Sequence, residues 1–350
     1  MNQSQIPLSA FIDPRGKNKA EVEQVAQQVL EIVFTHLQNA CNYSPLPQIT
    51  ELPEVVAIPD TAISESKLLA QLESILVSSM NTAHPAFIGH MDSIPTTLSF
   101  MGEMVTAALN NNMLSLEMSP LLSRLESHLL KEFATLFGLG KQAGGVMLSG
   151  GALILSENQR QRLTGIEQSD SITFNPQKWL YVAKTCAMVL FRDMATLTKA
   201  FQIPAPYMRD SGDFINLGEV SVQGTRHAEV LKFWLSLQHI GKSGYNQLIE
   251  ESYLLTDYFM QQVRKRPFLE TTGEPETNLV CFRGIPSWIS DNDWDKWNSD
   301  LQVYLLQKGN TFLSLPIYRE HCWLRAVLLN PYTDAEIINH LFGHIDTFVQ

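Results

Sequence analysis

Apolar residues recur every three or four places over residues 18–40, "NKAEVEQVAQQVLEIVFTHLQNA", a spacing that predicts an amphipathic helix. A proline-rich connector follows, "NYSPLPQITELPEVVAIPD", whose composition predicts extended chain. The helical period returns over 65–80, 96–112 and 120–137. The pattern then changes to short apolar runs. "GGVMLSGG" (144–151) predicts a buried strand entering a glycine turn, and "ALILSENQRQRL" (152–163) reads as a short helix. "DSITF" (170–174) and "CAMVLFRD" (186–193) read as strands on either side of the polar turn "NPQK". Two helical stretches, "HAEVLKFWLSLQHIG" and "YNQLIEESYLLTDYFMQQVRKR", come next. The last part carries "LVCFRG", "TFLSLP" and "WLRAVLL" as strands, with helices near 292–308 and 333–349. Strands and helices mixed throughout predict an α/β chain with a smaller C-terminal unit from about residue 245.

Composition narrows the class. The 350 residues are 45% hydrophobic and 17% charged, a globular balance with enough chain for a large core. A net charge of −11 argues against nucleic acid and anionic membrane as partners. No apolar run approaches the roughly 20 residues that a membrane span needs. The N-terminus lacks the basic, apolar and small-residue sequence of a secretion signal. The four cysteines (Cys41, Cys186, Cys281 and Cys322) are far apart and read as reduced thiols of a cytoplasmic protein.

Several local motifs have bland readings. "GLGKQAGG" approaches a dinucleotide loop but follows a helical stretch with the wrong glycine spacing. His340 and His344 stand four apart on a predicted helix, a metal-ligand spacing, but with no third ligand nearby in sequence they read as part of an ordinary surface helix. Ser149 in "MLSGG" lacks the glycine pattern of a hydrolase nucleophile and reads as a turn hydroxyl or as one donor in an anion nest. "HMDS" (90–93) is a His-x-Asp cluster without a further partner in sequence. Lys178, between "NPQ" and the apolar "WLYV", is either a solvated lysine lying on its aromatic neighbours or a desolvated amine able to attack a carbonyl. The turn by itself leaves both readings open.

Five segments in order change that. "HPAFIGHM" (84–91), "NNNMLSLEMSPLLSRLE" (110–126), "GIEQSDSITFNPQKWLYV" (165–182), "QGTRHAEVLKFW" (223–234) and "LRAVLLNPYTD" (324–334) together resemble the group II pyridoxal-phosphate-dependent amino-acid decarboxylases. The resemblance runs from about residue 20 to 349 and leans toward the bacterial glutamate, aspartate and diaminobutyrate branch. It implies an α/β, fold-type-I, aspartate-aminotransferase-like fold. The implied parts are an N-terminal helical segment and connector (1–95), an abbreviated large cofactor domain (96–244) and a small α/β domain (245–350). It also implies pyridoxal 5'-phosphate as cofactor, with Lys178 at the place of the lysine that forms the Schiff base. The function it implies is release of CO2 from a small amino acid, the cofactor ring taking up the electron pair. By the same carry-over, Ser149, Gly150, Gly151 and Gln177 hold the phosphate, and His84, Phe87, Asn110 and Asn112 line the substrate pocket. Arg226 is either a carboxylate ligand or a structural helix-start arginine. The family also implies a homodimer.

The departures are specific. Where the family has Asp-x-His-Lys, this chain has Asn175-Pro176-Gln177-Lys178. Gln177 can donate a hydrogen bond to a phosphate but carries no charge. Lys178 comes only 28 residues after Gly150, whereas the family places a small domain's worth of chain there. The missing part includes the ring-stacking histidine and the His-Val-Asp-Ala-Ala strand whose aspartate pairs with the pyridine nitrogen. The pieces on either side share one Gly-Gly, as if an internal segment had been excised at a short repeat. The remaining strands, "GGVMLSG", "CAMVLFRD" and "DSITF", are expected to stay adjacent, the second between the other two. Loss of the ring partners implies impaired decarboxylation, and the alternative is an inactive relative acting as a folded dimer or an interaction protein.

Overall fold

The computed structural model describes residues 7–47, 62–146, 152–203, 215–221, 223 and 225–349. Four helices come first: α1 (Lys19–Gln38), α2 (Glu65–Val77), α3 (Thr97–Leu109) and α4 (Pro120–Leu136). Their ends follow local chemistry. Ser64 and Thr96 accept from the backbone N–H three residues on, and Pro120 opens α4 where no N–H is needed. Asn110 ends α3 in the left-handed region (φ 48°), which asparagine tolerates.

Three short strands form the first sheet: β1 (Gly144–Val146), β2 (Ser171–Phe174) and β3 (Met188–Phe191). Their order is β1-β3-β2, with both pairings antiparallel. Leu190 on the central strand faces Gly145 on one side and Ile172 on the other. A Cβ on Gly145 would lie 2.1 Å from the carbonyl oxygen of Val189, so only glycine permits this approach. The sheet packs Ile172, Phe174, Met188 and Leu190 against Phe133 and Phe137 of α4 in the first core.

After β3 the chain forms α5 (Met194–Phe201), capped by Asp193, and then the long α6 (Glu229–Arg264). Gly241 breaks α6 (φ 69°, ψ 171°), so the two helical stretches predicted here meet at a glycine kink. α6 gives Phe233, Tyr245 and Ile249 to the first core and Phe259, Met260 and Val263 to a second. That second core lies on the sheet β4 (Leu269–Thr271), β5 (Leu279–Gly284) and β8 (Leu324–Val327), ordered β4-β5-β8. Helices α7 (Trp294–Lys308) and α8 (Ala335–Val349) cover it through Leu301, Leu305, Ile338, Leu341 and Ile345. A two-stranded hairpin, β6 (Ile317–Tyr318) and β7 (His321–Cys322), projects between α7 and β8.

Two expectations are corrected. Residues 152–163 form 3-10 turns at Leu153–Leu155 and Arg160–Leu163 rather than a short helix. Side chains of α6 hold them, since Asn246 accepts from the Glu157 N–H at 2.7 Å and Glu250 accepts from the Ser156 hydroxyl. "TFLSLP" makes two isolated bridges instead of a strand, Phe312 with Phe87 and Ser314 with Arg325, because it pairs single residues on opposite sides before Pro316.

Candidate functional site

The turn between β2 and β3 is tied down by backbone and side-chain bonds from several elements. Lys178 donates its N–H to Asn175 O and accepts from Tyr181 N–H, both at 3.1 Å. Tyr181 takes a left-handed φ of 56°, and its hydroxyl reaches Leu329 O at 2.8 Å. Tyr245 of α6 donates to Leu180 O at 3.0 Å, while the Thr96 N–H at the start of α3 donates to Tyr181 O at 2.7 Å. Burial pushes the phenol of Tyr245 up to about 12 and raises that of Tyr181 further, so both remain hydrogen-bond donors at neutral pH. Trp179 stacks on Tyr253 with ring centroids 6.0 Å apart. Lys178 is half-buried on this frame, and its Nζ meets no hydrogen-bond or ion-pair partner among the described residues. Gln177 faces the hairpin itself, its side-chain carbonyl accepting from the Cys186 N–H at 2.7 Å. Burial raises the Cys186 thiol well above its ordinary pKa, which makes it an inert core group.

The segment carrying the His-Pro motif packs on the second sheet. Phe87 is buried and stacks on Phe312 at 5.2 Å. His84 is also buried; the Ala86 N–H donates to its Nδ1, and Asn310 meets its Nε2 at 3.1 Å. Asn110 caps α3, and Asn112 accepts from the N–H groups of Leu114 and Arg226, joining two distant segments. Arg226 Nη1 donates to both carboxylate oxygens of the buried Glu126 at 2.8–2.9 Å, which gives this arginine an internal partner. Ser149, Gly150 and Gly151 lie outside the described residues.

A cavity of about 390 Å³ opens beside this segment, lined by His90, Gln302, Phe312, Ser314, Leu315, Pro316 and Arg325. Arg325 Nη2 donates to Gly89 O at 3.2 Å and meets His90 Nδ1 at 3.0 Å. That contact makes Nδ1 an acceptor and leaves the neutral ring's proton on Nε2. Burial holds His90 below its ordinary pKa; Arg325 and Lys184 lower it further, and Asp92 opposes them. The Nε of Arg325 and the Oγ of Ser314 are buried without hydrogen-bond partners among the described residues. The cavity wall thus carries a guanidinium, a hydroxyl and an imidazole. Asp92 also binds Lys184 at 2.7 Å, which joins this segment to the lysine-bearing turn.

The sequence reading missed Arg325, although a single charged residue inside "WLRAVLL" was a usable signal. It also missed the partner of His90, which lies in a segment 235 residues away. Elsewhere, Glu103, His227 and Glu229 bring ligand atoms within 4.8 Å of one another. Lys232 Nζ already pairs with both of these glutamates.

The pyridoxal group needs an amine for its aldehyde, donors for its phosphate and a partner for its ring nitrogen. Lys178 fits the first need. Among the described residues nothing fits the ring end: Asp92 pairs with Lys184, Glu250 with Ser156 and Gln159, and Glu251 with Gln247.

Comparison with known proteins agrees with the fold. A fold-type-I decarboxylase architecture is common to solved structures that overlay nearly the whole chain. Rice TDC with PLP and tryptamine overlays with TM-score 0.87 at 14% identity, covering 97% of this chain and 99% of that one. Mouse CSAD gives 0.85 at 18% identity with the same coverages. The sequence model of the pyridoxal-dependent decarboxylase conserved domain matches residues 47–150 and 147–285, and the chain belongs to that family. The family's cofactor is pyridoxal phosphate. Among curated relatives, the acidic amino acid decarboxylase GADL1 of Mus musculus is 26% identical over 212 residues, 57% of this chain and 38% of that protein. The aromatic-L-amino-acid decarboxylase of Bacillus atrophaeus is 31% identical over 193 residues, 53% of this chain and 40% of that protein. The matched stretch thus spans about two-fifths of these relatives. Among the described residues no helix is long and apolar enough to cross a membrane.

Proposed function

We propose that this chain binds pyridoxal phosphate through Lys178 and an amino-acid carboxylate through Arg325, and that its CO2 release is strongly impaired. The observation that carries the reading is the order β1-β3-β2, in which β2, the strand that leads into the lysine turn, is an edge with no further strand beside it among the described residues to carry a ring-facing acid. The family match supports an excision at that place, since both of its segments claim residues 147–150. When bound, the cofactor ring supplies the sink for the electron pair left by CO2. The chain's own contributions are the unpaired Lys178 amine, the phenol-braced turn beneath it, and donors from Arg325, Ser314 and His90 Nε2 for a carboxylate. Ser149, Gly150, Gly151 and the free amide N–H groups of Gln177 are the proposed phosphate donors.

The test is covalent labelling. Pyridoxal phosphate followed by borohydride, then peptide mapping, is expected to label Lys178 ahead of Lys141 and Lys184. Label spread evenly over exposed lysines would remove the proposed site.

A second reading, that the chain serves as a folded homodimer without turnover, is favoured by its N-terminal surface. Neither α1 nor α2 has a fully buried residue, and a groove of about 730 Å³ runs between them. Leu68, Ile75, Val77, Met104, Val105 and Leu109 are exposed on α2 and α3. A second copy is the proposed cover for this apolar surface. Light scattering at micromolar concentration is expected to report a dimer, and a monomer would end the proposal. Four unbridged cysteines support placement in the reducing cytoplasm.

A further inference from the structure

We infer that His340 and His344 on α8 form a two-histidine chelate for a late first-row divalent metal ion such as Ni²⁺, Cu²⁺ or Zn²⁺. The two residues stand one helical turn apart, and their Nε2 atoms point at each other across 3.3 Å. The rings lie at 70° with centroids 4.5 Å apart, so one ring does not stack over the other. Two imidazole nitrogens that each bind one ion at 2.0–2.1 Å with a tetrahedral angle lie about 3.3 Å apart. The observed spacing is long for a direct hydrogen bond and matches a shared ion.

The surroundings favour the metal-ready form. The ring of His344 is fixed on its inner side: Gly309 packs against it, where a Cβ would come within 3.2 Å, and Tyr304 meets it edge-on at 6.0 Å. His340 is exposed, which gives an ion a path from solvent. No third histidine, cysteine or carboxylate joins the pair among the described residues, so solvent completes the coordination shell. Softness and geometry select nitrogen-preferring ions over Mg²⁺ and Ca²⁺. The bound ion would bridge one turn of α8, the helix that closes the second core.

Calorimetric titration of the full chain with nickel chloride tests the site, using wild type, His340→Gln, His344→Gln and the double variant, each checked for native circular dichroism. The expected result is one binding event that weakens by roughly tenfold or more in either single variant and vanishes in the double. Binding should also weaken as pH falls and the imidazoles protonate. Equal heats for wild type and the double variant, or no saturable binding by wild type, would overturn the assignment. Because Gln keeps the size and polarity of the site, a folding defect and a lost ligand give different outcomes.

Discussion

Two groups of cations in this protein are treated in opposite ways. Around α3, α4 and the start of α6, every cation deep in the structure has an internal carboxylate. Arg226 lies on Glu126, and Lys232, fully buried, sits between Glu103 and Glu229. At the lysine turn and the cavity beside the second sheet, Lys178 and Arg325 have no carboxylate partner among the described residues. The first group stabilises the chain's own packing. The second, one amine and one guanidinium, lacks such carboxylates, and the proposed ligand contacts rest on that difference.

The largest expected effect lies in the paired group. Arg226→Ala leaves Glu126 buried at 1% exposure without its partner, and should lower unfolding free energy by about 3–5 kcal/mol in urea titration. Little change would mean that water reaches this carboxylate, and the contrast between the two groups would weaken. Gly145→Ala comes next. Its Cβ meets the Val189 carbonyl at 2.1 Å, so the β1-β3 pairing must open, at a cost of about 1–3 kcal/mol. A neutral result in the same titration would question the sheet order on which the excised-strand reading depends.

Arg325→Leu should behave differently from Arg226→Ala. It strands no carboxylate, so its stability cost is confined to the hydrogen bonds with Gly89 O and His90, about 1.5–3 kcal/mol. It should weaken aspartate or glutamate binding by roughly tenfold or more, since a charged hydrogen bond contributes about 1.5–3 kcal/mol. Calorimetry on wild type and variant separates the two effects, and unchanged affinity would detach the cavity from the proposed site.

The smallest effect is with pH. Burial holds His84 and His90 below their ordinary pKa in the folded state. The unfolded chain therefore binds more protons below about pH 6.5, and stability falls as pH drops from there toward the folded pKa values. A decline of a few degrees in melting temperature, roughly 2–4 °C per kcal/mol for a chain of this size, should be reduced in His84→Gln. A melting temperature flat between about pH 6.5 and 5 would contradict the burial of these rings.

Long elements were legible because their periodicity reports one buried face. α4 places Leu122, Leu130 and Phe133 inward, as the spacing over 120–137 indicated. The order of the first sheet was also legible, through the motif resemblance. Short elements gave too little pattern: β4 has three residues, and β6 and β7 have two each. α5 was missed although Asp193, which caps it, is a helix-start signal. At the site, Lys178 was readable because its motif is contiguous. Arg325 and His90 were not, since their relation exists only after residues 84–91 pack beside β8. Gln177 was read as a phosphate donor from its place beside the lysine; that its carbonyl accepts from the Cys186 N–H is a contact that sequence cannot reveal.

The central claim is that the lysine and the carboxylate-binding cavity persist while the wall facing the cofactor ring does not. It is tested most directly by CO2 release from glutamate, aspartate, diaminobutyrate and aromatic amino acids with excess pyridoxal phosphate, beside a Lys178→Ala control. The expected result is a label on Lys178 with CO2 release close to that control. Lysine-dependent turnover in the ordinary enzyme range of about 1–10³ s⁻¹ would contradict it, and would mean that another group of this chain faces the ring.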